Sequence, residues 1–147
     1  MLKSDTTKAT GKVNIVVKDE NGNLKEEFTV PNLVVTTGLN FIASRMEDAT
    51  STVMSHMSVG TDTTTAALGD TALLAESARV ALTNGVATGG DMVYTATFPA
   101  GTGTAALTEA GVFNDVSAGT MLCRTTFPVI NKGGADTMTV TWTITIS

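Results

Sequence analysis

The chain has 147 residues, one domain by size and long enough to build a core without metals or disulfides. Hydrophobic residues make up 42% and charged residues 16%, the balance of an ordered soluble protein rather than a disordered one. A net charge of −5 argues against nucleic acid or an anionic membrane as partner, because both reward clustered Lys and Arg. The single cysteine, Cys123, excludes an internal disulfide, and the first ten residues lack the apolar core of a signal peptide. Folding in a cytosol is the expectation.

Residues 1–11 carry no apolar period and are expected to form a flexible N-terminal arm. Residues 12–30 form a β-hairpin: Val13, Ile15 and Val17 alternate with polar neighbours, Asn21-Gly22 marks the turn, and Pro31 is expected to end the return strand. Residues 31–147 make the main domain. Thr36-Thr37-Gly38 reads as a helix start with a threonine N-cap, and Leu39, Ile42, Ala43 and Met46 recur as one helical face expected to cover a sheet.

From Ser55 onward the signals are those of strands. His56 to Gly60 is a short one, residues 61–70 a Thr- and Ala-rich loop, and residues 78–83 a strand leading to Asn84-Gly85, a second hairpin signal. Strands follow at 91–98, 109–114 and 121–127, and residues 128–136 read as the last loop. Residues 137–147 then alternate without a break: Met138, Val140, Trp142, Ile144 and Ile146 against five threonines and a serine. With its five apolar side chains buried at roughly 1.5–3 kcal/mol each, this strand is the expected spine of the core. The fold class is mainly β: a single-domain antiparallel β-sandwich, jelly-roll-like, with one short α-helix.

No residue is singled out as catalytic, cofactor-binding or metal-ligating. His56, the sole histidine, lacks a serine in a nucleophile setting and reads as structural, and Cys123 reads as a buried inert thiol within a strand. Gly101-Thr102-Gly103-Thr104-Ala105-Ala106 fits a loose dinucleotide pattern, yet no acidic residue follows at the spacing that chemistry needs. Asp19-Glu20-Asn21-Gly22-Asn23 has its glycine misplaced for a calcium loop and reads as a turn. Asp62, Asp70, Glu76 and Asp91 leave open a hard-cation site assembled by the fold. Trp142 and Tyr94 read as core rather than as platforms for a glycan.

Four segments carry a resemblance. Asn32-Leu33-Val34-Val35-Thr36-Thr37-Gly38-Leu39-Asn40-Phe41-Ile42-Ala43-Ser44-Arg45 is similar to the opening of a set of small tailed-bacteriophage virion proteins. So are Ser55-His56-Met57-Ser58-Val59-Gly60-Thr61 with the following Gly69-Asp70-Thr71-Ala72-Leu73, Thr108-Glu109-Ala110-Gly111-Val112-Phe113-Asn114, and Phe127-Pro128-Val129-Ile130-Asn131-Lys132-Gly133 running into the threonine-alternating end. The resemblance spans residues 32–147 and implies a non-enzymatic structural part of a phage particle, made in the host cytoplasm and located in the virion. It implies first a capsid decoration (cement) protein, binding the major capsid protein as a dimer or trimer and stabilising the assembled head. The alternative is a tail-fibre or baseplate component, with a host receptor among its targets. An enzyme such as a glycan hydrolase would need two carboxylates about 5–10 Å apart across a cleft, and the spacing places no such pair.

Overall fold

The computed structural model describes residues 8–47 and 52–147. These residues form a mainly β fold with a single helix. Its strands are β1 (Ala9–Lys18), β2 (Leu24–Val34), β3 (His56–Gly60), β4 (Glu76–Ala81), β5 (Asn84–Thr88), β6 (Asp91–Phe98), β7 (Ala105–Phe113), β8 (Met121–Lys132) and β9 (Thr137–Ile146), with α1 (Thr36–Ser44) after β2. All pair antiparallel in one nine-stranded sheet, ordered β4-β3-β7-β8-β2-β1-β9-β6-β5. The sheet is curled, so one apolar cluster draws side chains from β1, β6 and β9 on one wing and from β3, β7 and β8 on the other.

The alternating strand β9 lies where its pattern demands, between β1 and β6. Trp142 stands opposite Val13 on one side and Tyr94 on the other. Met138, Val140, Trp142 and Ile144 are buried, while Ile146, the fifth member of the stripe, is 38% exposed at the rim. The indole N–H of Trp142 has no hydrogen-bond partner, so packing alone holds the ring.

Strand β2 joins the two wings. Residues up to Asn32 pair with β1, then Leu33 and Val34 pair with Arg124 and Cys123 of β8. Pro31 therefore does not end the strand. It lies opposite Lys12, just before the change of partners, and its carbonyl accepts from the Thr125 hydroxyl at 2.7 Å. Pro128 likewise lies inside β8 rather than opening a loop. Leu107 pairs with Ile130 but Glu109 with Thr126, and the proline occupies that irregular stretch.

Several other boundaries move. β1 begins at Ala9, so Ala9, Thr10 and Gly11 belong to the sheet rather than to an arm, opposite Ile146, Thr145 and Ile144. Backbone pairing to β9 needs no apolar period, which is why the sequence pattern gave no sign of it; residues 1–7 lie outside the described residues. Asn21-Gly22 does turn the first hairpin, with Gly22 at φ +80°. The Asp19 carboxylate is used within that turn, accepting the N–H groups of Asn21 and Asn23 at 2.9 Å each. Asn84-Gly85 makes no turn: both residues lie in β5, opposite Thr95 and Tyr94. The hairpin is closed by Gly89-Gly90, with Gly89 at φ +59°. Every residue of β5 is exposed, so no apolar alternation announces it.

The helix spans the expected residues but is turned differently. Val35, not a threonine, occupies the N-cap and makes no side-chain cap bond. The Thr37 hydroxyl donates instead to the Met121 carbonyl at 2.9 Å. Gly38 faces β8 so closely that a Cβ there would stand 2.0 Å from the Leu122 carbonyl oxygen. With Gly38, Phe41 and Ile42 turned inward, Leu39 and Met46 are left outward, 42% and 87% exposed.

Replacing Trp142 with alanine is expected to cost about 3–5 kcal/mol in a denaturant titration, the range for a large aromatic removed from a core. Thr141→Val, on the outer face, should stay within about 0.5 kcal/mol of the parent.

Candidate functional site

Among the described residues, four charged side chains gather around Arg124 on β8 and Glu109 on β7, both fully buried. Arg124 Nε and Nη2 donate to Glu109 Oε1 at 3.2 and 3.0 Å. Nη1 donates to Asp70 Oδ2 at 3.0 Å, and Nη2 lies 3.8 Å from Asp62 Oδ1. The same Glu109 carboxylate accepts backbone N–H groups from Asp62, Leu74 and Ala75 at 3.1, 3.1 and 2.8 Å. It thus gathers both ends of residues 61–75, the connection between β3 and β4, against β7. The Thr108 hydroxyl adds a bond to the Asp62 carbonyl at 2.8 Å.

Two glycines make room for this arrangement. A Cβ on Gly60 would come within 2.3 Å of the Ala75 carbonyl oxygen and 2.6 Å of Glu109 Oε2. Gly111 stands opposite Arg124 in the β7–β8 ladder, where a Cβ would crowd Leu73, Phe113 and the Cys123 carbonyl at 3.1–3.2 Å. Hydrogen bonds from Thr64 hold the Asp62 carboxyl below its ordinary range, and the Arg124 guanidinium adds a smaller pull.

Of the four carboxylates that the sequence left open for a cation, Asp62 and Asp70 do converge, but on a guanidinium. Glu76 pairs with Arg79 at 2.6 Å. Arg79 lies 3.9 Å above the Phe113 ring and donates to the carbonyls of Asp115 and Ala118, fastening the β7–β8 connection. Asp91, on β6, accepts from the Thr145 hydroxyl at 2.7 Å. Among the described residues no group of three or more His, Cys, Asp or Glu side chains is placed to hold a metal ion.

A second node closes the β8–β9 turn. The ammonium of Lys132, 2% exposed, donates to the Pro99 and Asp136 carbonyls at 3.0 and 2.7 Å. Burial lowers its pKa, partly offset by Asp136. Asp136 in turn accepts from Lys25 at 2.6 Å and from the Gly133 N–H at 2.7 Å. These bonds, that from Lys25 foremost, hold its carboxyl below the usual range. A depressed carboxylate stabilises the fold above its unfolded pKa, and that contribution is lost as pH falls through the folded value.

The remaining residues singled out from the sequence are separate. His56 opens β3, with Nδ1 2.8 Å from the Ser55 hydroxyl. Cys123 is wholly buried, and burial pushes its thiol well above the ordinary range. The Gly101–Ala106 segment runs into strand β7 rather than a helix, so it forms no dinucleotide turn. A cavity of about 770 Å3 opens between α1 and the ends of β6 and β9, lined by Phe41, Ile42, Leu82, Met92, Tyr94, Ile144 and Ile146 among others. Its polar edge is formed by Arg45, Ser55, Thr83 and Asn84. Burial raises the Tyr94 phenol to about 12, so it stays protonated and presents a neutral hydroxyl. This lining suits an apolar side chain better than acid–base work.

Comparison of the chain with known protein families, with curated proteins and with solved structures finds no match.

The Glu109–Arg124 node escaped the sequence reading. The available signal was a charge inside each of two apolar runs, Ala110-Gly111-Val112-Phe113 after Glu109 and Met121-Leu122-Cys123 before Arg124. Buried charges in strands require partners. Arg124→Met should cost about 3–5 kcal/mol, because it leaves the Glu109 carboxylate buried without its counter-charge. Adding Glu109→Gln, which removes the charge and keeps one amide oxygen able to accept from Asp62 and Ala75, should recover part of that loss. Urea titrations of the single and double variants measure both.

Proposed function

We propose that the chain is a non-enzymatic structural protein of a tailed-bacteriophage particle, most specifically a head decoration (cement) protein that binds the assembled shell as a small oligomer. In this reading the two wings of the curled sheet are the layers of a jelly-roll-like sandwich. The observation that carries it is where the resembling segments lie. Residues 32–45 form the end of β2 and α1, residues 55–61 contain β3, and residues 108–114 and 127–133 come from β7 and β8. Residues 69–73 belong to the connection held by Glu109 and Arg124. Most of the similarity therefore falls on one wing with its covering loop and helix, and its last segment runs on into β9 of the other wing. The charges of that wing are engaged in holding the chain to itself, which fits a scaffold presenting surfaces to neighbours.

The measurement is copy number. In particles that carry the chain, gel densitometry should give copies comparable in number to the major capsid protein. A few copies per particle, located on the tail, would replace decoration with the tail-fibre or baseplate reading. Absence from purified particles would overturn both.

A further inference from the structure

The cavity between α1 and the ends of β6 and β9 stays open because of a residue without a side chain. Gly85 stands opposite Tyr94 in the β5–β6 ladder and has nothing with which to close over the ring. The space of about 770 Å3 lies within the size range of sites that take a small molecule. Its walls are mostly aliphatic, with Ile42, Leu82, Met92 and Ile144 among them.

The polar groups of the lining differ in what they have left to give. The Ser55 hydroxyl is paired with His56 Nδ1, and the Thr83 hydroxyl donates to the Thr95 carbonyl. Tyr94 is 8% exposed, and its hydroxyl makes no hydrogen bond among the described residues. The unpartnered side-chain polar atoms sealed from solvent are those of Asn32, Ser58 and Trp142. The Tyr94 oxygen is not sealed, and the cavity that its ring lines is its way out. Burial keeps the phenol protonated, so at neutral pH it is a donor that lacks an acceptor. Arg45 stands at the edge, its guanidinium carbon 5.8 Å from the centre of the Phe41 ring. Among the described residues no acidic side chain lines the cavity.

We propose that this cavity binds a medium-length aliphatic carboxylate, its alkyl chain against the aliphatic walls and a carboxylate oxygen accepting from the Tyr94 hydroxyl. The walls favour a flexible apolar chain, and the Tyr94 donor calls for an acceptor. The one charge on the described lining is positive, which favours an anionic head over a neutral or cationic one. An ionised carboxylate has acceptors only and meets both demands. Binding of this kind belongs to the chain itself and holds whatever assembly the chain enters.

Isothermal titration of the full chain with decanoate, below its micellar range, should give one saturable site. Octanoate should bind about fifteenfold more weakly, the effect of two fewer buried methylenes. Tyr94→Phe removes an oxygen that no protein group uses, so Trp142 emission and thermal stability should not change. The same variant should weaken decanoate by roughly tenfold or more. Arg45→Gln should weaken decanoate and leave decanol unchanged, and decyltrimethylammonium should not bind. The absence of saturable decanoate binding overturns the proposal. So does a Tyr94→Phe variant that binds decanoate as tightly as the parent. Decanol or decyltrimethylammonium binding as tightly as decanoate also contradicts it, since the head would then not be recognised. If an apolar side chain of a partner protein is the occupant, the isolated chain will show one of these contrary results.

Discussion

The Glu109 carboxylate has no access to solvent, and the arrangement of one wing follows from satisfying it. An ionised carboxylate taken out of water must find donors and an opposite charge. Here the donors are three backbone N–H groups from the β3–β4 connection, and the charge is Arg124 on the neighbouring strand. The carboxylate is thus at once a buried charge and a clasp: residues 61–75, which have no apolar pattern of their own, are held because the ion needs them. Gly60 and Gly111 follow from the same requirement, since a Cβ at either would occupy space that the clasp uses.

The other wing is organised by hydrophobic burial. β9 carries Met138, Val140, Trp142 and Ile144 into the core between β1 and β6. β2 links the two regimes by pairing first with β1 and then with β8, so the charged clasp and the apolar spine share one curled sheet. Its outer surfaces, the threonine-bearing face of β9 and the exposed crest of α1, are what the molecule can offer to neighbours.

What the sequence made legible tracks how strongly side-chain pattern decides each element. β9, β6, β3 and the first hairpin turn could be read because alternation, or Asn-Gly, points to one conformation. β5 was invisible because all its residues are exposed, and Asn84-Gly85 misled because the two glycines Gly89 and Gly90, farther on, do the turning. Pro128 lies within a strand where the ladder is interrupted, and Pro31 lies opposite Lys12 just before β2 changes partners. Of the face expected to cover the sheet, Ile42 does so while Leu39 and Met46 turn outward. Gly38, which packs by having no side chain, decides which face approaches β8, and a hydrophobic count cannot register that. Among the carboxylates left open for a metal ion, Asp62 and Asp70 converge on a side-chain cation instead, Arg124, 54 residues beyond Asp70.

Native-state hydrogen exchange at the amides of Asp62, Leu74 and Ala75 tests the clasp most directly. These N–H groups sit in a connection without regular structure, yet each donates to a carboxylate sealed from water. They should exchange as slowly as the core strands, opening only when the wing unfolds. Exchange at the rate of ordinary loop amides, with the β7 and β8 amides still protected, would mean that Glu109 does not hold the connection.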